Sequence, residues 1–421
     1  MLKYTVPYNM PLVDTPSLSK EIYTVLTSDP YNQDFRLSFV LDQLDADNRT
    51  PLVVKTENEG TYSIEVVCFQ TAYLLLFREA HTYLNKRLLP SVGHHRSYGL
   101  EDYYATVALL VTTAEHKTVI NIHEETVLRI VDTKDNEDPK SFLLNEFVLI
   151  KRLLTSSRNS INKSSSLWWW LRKLFVILVS RGYATTKQLI PTIISAITRS
   201  GTLHFANYYC WNTAKWFLDV LELQRETEAQ SAKNDLIGSI KQFCFSHLSD
   251  CSSWNTMAYI FSQQLDYCNF NKLGYIALLE RYTDQTFDDG NDKVEHEVSP
   301  QSKSAVVKFL NELSELIDKL EIGVEPPYLC IVYILRAAMK VNERVILERC
   351  DFLRNWEMEV NQGLKEQFVP REDDEEGVEN RGDGDDLLKM RAYNCLLQKK
   401  RTLLRLKLLP QHKTWPQYLN D

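Results

Sequence analysis

Several groups of residues in this 421-residue sequence place chemistry-bearing side chains close together. His94-His95-Arg96 sets two imidazoles side by side, but no third ligand stands at a spacing that completes a metal site, so the pair reads as a solvated loop. His123-Glu124-Glu125 joins an imidazole to two carboxylates, a set used for metal binding or acid–base work. With Val119, Ile122 and Val127 around it at helical spacing, the triplet predicts the solvated polar face of a helix. Asp383, Asp385 and Asp386 do not follow the twelve-residue calcium loop. The eight cysteines are scattered without a C-x-x-C pair and mostly lie in apolar-periodic segments, which predicts buried, reduced thiols. H-E-x-x-H, phosphate-loop and nucleophile motifs are missing. The sequence thus offers no self-sufficient catalytic centre and no metal site.

The elements that position these residues are read as helices. Only 13 Gly and 14 Pro interrupt long apolar-periodic segments. The formal net charge of −8 comes from residues 372–386, whose nine acids and single Arg381 leave the rest of the chain neutral. A neutral body without a basic stripe argues against nucleic-acid binding. The N-terminus lacks an apolar signal core, and Leu167–Val179 is short and broken by Arg172 and Lys173. A soluble, cytoplasmic protein is expected.

Short helices are predicted over Leu18–Leu26 and Phe35–Leu44, and a long one over Thr61–Leu89, stopped by Pro90 and Gly93. A helix–loop–helix unit follows. Leu143, Phe147, Ile150 and Leu154 share one helix face, a Ser/Asn-rich connector comes next, and the second helix opens with three tryptophans. Weaker copies flank it. Aligned on their second helices, Ile120, Trp169, Trp211 and Trp254 fall 49, 42 and 43 residues apart, and Asn121, Asn212 and Asn255 each follow the anchor. That period predicts an all-α chain, an α-α superhelix or solenoid of antiparallel helix hairpins. Each anchor tryptophan is read as filling the gap between hairpins, worth roughly 2–3 kcal/mol or more. Three regions result: N-terminal helices and linkers (1–97), repeats (98–268), and C-terminal helices with a flexible acidic loop at 372–386 (269–421). In the last region Ser299-Pro300 opens a helix that Gly323 stops, further helices cover 327–339 and 341–362, and Leu387–Leu409 caps the array.

Over about residues 100–265 the chain resembles the α-subunit family of protein prenyltransferases. The second helices of that family begin with Asn-Tyr-x-x-Trp-x-x-Arg. Asn207, Tyr208 and Trp211 match, with Ala214 in place of Arg. Trp169 and Arg172 match the other half, behind Ser165 and Ser166. Asp250 and Trp254 match loosely, with Met257 for Arg, and in the first copy Ile120 and His123 stand at the Trp and Arg positions. The chain is similar above all to the α-repeat-containing subunits of the third type of geranylgeranyltransferase. The resemblance implies one half of a heterodimeric transferase, wrapped around a β subunit that holds the catalytic zinc and acting on small GTPases or SNARE-type proteins. It also implies that Lys163, Tyr208 and Tyr209 assist the departing diphosphate. The competing expectation is a non-catalytic helical scaffold or adaptor, with an indirect cell-wall or secretion role, favoured by the missing arginines at 214 and 257 and the displaced Lys163.

Overall fold

The computed structural model describes residues 15–29, 34–44, 47–58, 61–88, 99–133, 138–224, 227–265, 272–282, 299–341, 343–367 and 383–407. Its elements begin with α1 (Ser17–Thr27), β1 (Phe35–Val40), β2 (Leu52–Asn58), β3 (Thr61–Phe69) and α2 (Gln70–Leu88). Then come α3 (Leu100–Thr112), α4 (Lys117–Asp132), α5 (Pro139–Leu154), α6 (Asn159–Asn162), α7 (Ser165–Ser180) and α8 (Thr186–Leu203). α9 (Tyr208–Leu223), α10 (Thr227–Ser246), α11 (Cys251–Gln263), α12 (Lys272–Tyr282) and α13 (Pro300–Leu320) follow. The last are α14 (Pro326–Lys340), α15 (Arg344–Glu348), α16 (Phe352–Gln367) and α17 (Asp383–Arg405). The class is all-α, with one small sheet. Two compact units are distinguished, one of residues 1–214, 224–232 and 273–287, the other of 215–223, 233–272 and 288–421.

The sheet corrects two expected helices. Its order is β1-β3-β2, with β1 parallel to β3 from Phe35↔Ile64 and β2 antiparallel to β3 from Leu52↔Val67. In TYSIEVVCF the buried residues are Ile64, Val66 and Cys68, while Ser63, Glu65 and Val67 on the other face are partly exposed. That is a period of two in β-branched residues, hidden because Phe69 passes into α2 at Gln70 with no Gly or Pro between. Of the expected helix Phe35–Leu44, Phe35–Val40 pairs as β1, with Phe35 and Leu37 buried and Arg36 between them exposed.

Buried charges at both ends hold α1 in the first unit. The α1 N-terminus donates to Glu79 of α2, from Leu18 N (3.0 Å) and Ser19 N (2.8 Å). At its C-terminus Arg152 of α5 donates to the carbonyls of Leu26 (2.6 Å), Ser28 (3.0 Å) and Asp29 (2.6 Å) and lies 4.0 Å over the Phe35 ring. A carboxylate at the positive end and a guanidinium at the negative end both suit the helix dipole. Burial pushes the Arg152 guanidinium down to about 10.

In the second unit Ser299 caps α13 with Pro300 at its first position, but Gly323 does not stop the helix. Glu321 takes the left-handed conformation (φ 46°) instead. At Gly323 a Cβ would meet the Cβ of Asn394 on α17 at 2.8 Å, so glycine serves close helix approach. Lys399 of α17 bridges Asp318 (2.7 Å) and Glu359 (2.6 Å) beside Trp356. The single helix expected over 341–362 is broken into α15 and α16. Of the acidic loop, 383–386 open α17, a correction to the loop boundary, whereas 372–382 lie outside the described residues. Six of the seven described cysteines are buried and all seven are free thiols. Among the described residues no helix is long and apolar enough to cross a membrane.

Candidate functional site

The four helices read as the second helices of the repeats begin in one way, as α5, α8 and α13 also do. The residue before each accepts a hydrogen bond from the N–H three positions on: His116 from Val119 (3.4 Å), Ser164 from Leu167 (3.2 Å), Asn207 from Cys210 (3.3 Å) and Asp250 from Ser253 (2.9 Å). This N-cap satisfies a backbone donor that the helix leaves open. One residue further, Ile120, Trp168, Trp211 and Trp254 are buried, and each donates its own N–H to the capping residue's carbonyl. The structural register is therefore carried by Trp168, with separations of 48, 43 and 43 residues. Trp169 is corrected from packing anchor to surface residue, at 41% exposure. Each helical residue turns about 100° from the last, so with Ser164 as cap Trp168 points inward and Trp169 outward. Trp170 turns inward again and is buried. Asn121 and Asn255 are exposed, Asn212 is half-buried, and Asn255 accepts from Lys215.

His123-Glu124-Glu125 is not a solvated face. Glu146 of α5, fully buried, accepts from His123 Nε2 (2.9 Å), Trp170 Nε1 (2.8 Å) and Tyr103 OH (2.6 Å). His123 Nδ1 meets Thr106 Oγ1 at 2.8 Å. Burial alone would raise the Glu146 carboxyl, but the His123 charge and the bonds from His123, Tyr103 and Trp170 outweigh it and hold it below the ordinary value. Glu124 pairs with Lys173 (2.5 Å) and accepts from Tyr282 OH (2.8 Å). Only Glu125 fits the expectation, pairing with Arg129 one turn on in the open. His123 and Glu124 turn inward because α4 is packed against α3, α5 and α7. Sealed from solvent, the His123–Glu146 cluster joins α3, α4, α5 and α7. No group of three or more metal-ligating side chains occurs among the described residues, and His94-His95 lie outside them.

The residues expected to assist catalysis lie at the starts of α7 and α9. Lys163 Nζ donates to the Phe205 carbonyl (2.9 Å), which joins the start of α7 to the loop before α9. Behind that loop Asn207 Nδ2 donates to Asn162 Oδ1 (2.6 Å) and Ser200 Oγ (3.0 Å). Asn162 also donates to the Leu154 carbonyl (2.7 Å), and its own carbonyl accepts from Trp168 Nε1 (2.9 Å). Between them Ala206 takes a left-handed φ of 53°. Arg172 donates to Thr213 Oγ1 on α9 (3.1 and 2.9 Å) and lies 5.6 Å over the Trp169 ring. Burial pushes Arg172 down to about 10. Tyr208 and Tyr209 stack edge-on at 5.5 Å, and Thr213 Oγ1 donates to the Tyr209 carbonyl. The result is a rigidly backed face on which Trp169, Phe205, Tyr208 and Tyr209 stand exposed. Asn162, central to that backing, carried no sequence signal beyond a Ser/Asn-rich connector.

Comparison with known proteins corrects the family drawn from the repeat pattern. The family model of the ECM9 N-terminal domain matches residues 13–155, and that of the ECM9 middle domain matches residues 167–282. A relative from Saccharomyces cerevisiae, Protein ECM9, is 35% identical over 346 residues, 82% of this chain and 83% of its own. The helical region read as prenyltransferase repeats falls within the two family matches except for residues 156–166. The prenyltransferase α-subunit assignment, with its transferase activity and heterodimer, is overturned by them. The chain belongs to the ECM9 family.

Proposed function

We propose that this protein is a non-catalytic helical scaffold that holds another protein on the face formed by the starts of α7 and α9. The exposed aromatic set carries the reading. Trp169, Phe205, Tyr208 and Tyr209 are 41%, 61%, 62% and 43% exposed. Half of the ~200 Å² of an aromatic side chain, four times over, gives roughly 400 Å² of apolar surface, the size at which a surface patch marks an interaction site. Aromatic anchors with a nearby arginine are the side chains that dominate binding energy at protein interfaces. The Asn162–Asn207–Ser200 network and the Lys163 and Arg172 bonds fix the backbone beneath them, so little ordering entropy is lost on binding. The charged groups that could do chemistry, His123, Glu124 and Glu146, face inward instead.

The test is to isolate the partner from cells of the source organism, purify it, and measure its affinity for the full chain. The Phe205→Ala/Tyr208→Ala variant should weaken a one-to-one complex at least about 30-fold, the ~2 kcal/mol that defines a hot spot, with unchanged Tm. An affinity unaffected by both changes refutes the face.

A further inference from the structure

The small sheet has two edges, and they are treated differently. At β1, Ser157 in the turn after α5 donates its N–H to the Leu37 carbonyl (2.9 Å), so that edge is partly covered. β2 forms the other edge and pairs, among the described strands, with β3 alone. All of its residues from Leu52 to Glu57 are exposed, the apolar Leu52, Val53 and Val54 included.

The register shows which peptide groups of β2 are left open. Ile64 N donates to the Asp34 carbonyl on the β1 side, so Ile64, Val66 and Cys68 turn their peptide groups toward β1. Ser63, Glu65 and Val67, alternating with them, turn theirs toward β2, where they meet Thr56, Val54 and Leu52. Val53, Lys55 and Glu57 therefore aim their N–H and C=O groups out of the sheet, a template for another strand.

Charged side chains guard such edges, above all a lysine on the core-side face. Lys55 lies on that face opposite Ile64, and Glu57 lies on it opposite Tyr62. A lysine alone would meet the lysine of a second copy. With a glutamate two residues on, the pattern becomes self-complementary: a two-fold axis at Thr56 sets Lys55 of each copy opposite Glu57 of the other. That register gives two opposite-charge pairs and a Thr–Thr pair, each of them stabilising. An axis at Lys55 opposes like charges, and an axis at Val54 sets Lys55 against Val53.

We infer that β2 pairs antiparallel with β2 of a second copy about a two-fold axis at Thr56, joining two three-stranded sheets into one of six strands. Val54–Asn58 of each copy overlap. This contact is smaller than the ~1,200 Å² of a standard interface, so the dimer is weak and depends on concentration. The inference does not rest on the aromatic face.

Sedimentation equilibrium of the full chain at low salt, from about 1 to about 500 µM, should show a reversible monomer–dimer equilibrium. Lys55→Glu and Glu57→Lys, both at exposed positions, should each weaken the dimer at least about tenfold without moving Tm. Mixed one to one, the two variants should associate as tightly as the native chain, because every glutamate then faces a lysine. Thr56→Cys should cross-link two copies on mild oxidation, since the paired positions stand about 4.5 Å apart between Cα atoms, within disulfide reach. Val54→Cys, with the same native thiols present, should not, because its two copies lie roughly 13 Å apart along the strands. A monomer at every concentration, a dimer indifferent to either charge reversal, variants that stay apart when mixed, or cross-linking through Val54→Cys as readily as through Thr56→Cys overturns the inference.

Discussion

Glu146→Gln perturbs the sealed cluster at its centre while keeping its shape. The amide oxygen still accepts from Trp170 or His123, but the amide nitrogen is a donor set against the Tyr103 hydroxyl, which donates to Glu146 at 2.6 Å. One buried donor is left unmatched, costing about 1–3 kcal/mol. The imidazole of His123 loses its carboxylate, and breaking a buried pair costs about 3–5 kcal/mol when one charge is stranded. Because the amide oxygen keeps its bonds, the lower ends of the two ranges apply, a combined loss of about 4 kcal/mol. Urea unfolding followed by tryptophan fluorescence reads the change, since Trp170 donates to the same carboxylate. The pH dependence has a definite sign. In the folded protein the Glu146 carboxyl is held below its ordinary value of 4.5. Its stabilisation is therefore present above that value and is lost as pH falls through the lower folded value. The gap between the native protein and the variant should be widest near neutrality and narrow on acidification. A loss under about 1 kcal/mol, or a gap constant from pH 7 to pH 3, would refute a charged, hydrogen-bonded Glu146.

Neighbouring tryptophans should differ sharply: Trp168→Ala costs about 3–5 kcal/mol in denaturant unfolding, and Trp169→Ala less than about 1. Equal losses would return the anchor role to Trp169. Arg152→Ala strands three carbonyls at the end of α1 and should cost about 3 kcal/mol or more, with faster proteolysis at residues 27–29. An unchanged cleavage rate contradicts the capping role. Gly323→Ala drives a methyl into Asn394 and should lower stability by about 1–3 kcal/mol, whereas a gain would show that α17 yields easily.

Helix positions were legible where apolar residues recur every three or four positions, as in α5 with Leu143, Phe147, Ile150 and Leu154. The sheet was not, because β3 runs into α2 without punctuation and its Val and Ile also fit a helical count. The tryptophan register slipped by one because WWW offers three anchors at adjacent positions. Ser164, a serine before the run, was the capping signal that settles it. Lys163, Tyr208 and Tyr209 were singled out by a family pattern that the comparisons overturn, and Lys163 is found bonded to the Phe205 carbonyl. The partners of His123 and Asn162 lie 23 and 45 residues away, in Glu146 and Asn207, and no local pattern shows such a contact.

The aromatic face is tested most directly by hydroxyl-radical footprinting of the full chain, alone and with its purified partner. Trp169, Phe205, Tyr208 and Tyr209 should oxidise readily in the free protein and be protected together in the complex, while exposed Tyr393 and Met390 on α17 keep their rates. Unchanged oxidation of all four in a formed complex would contradict the claim that this face holds the partner.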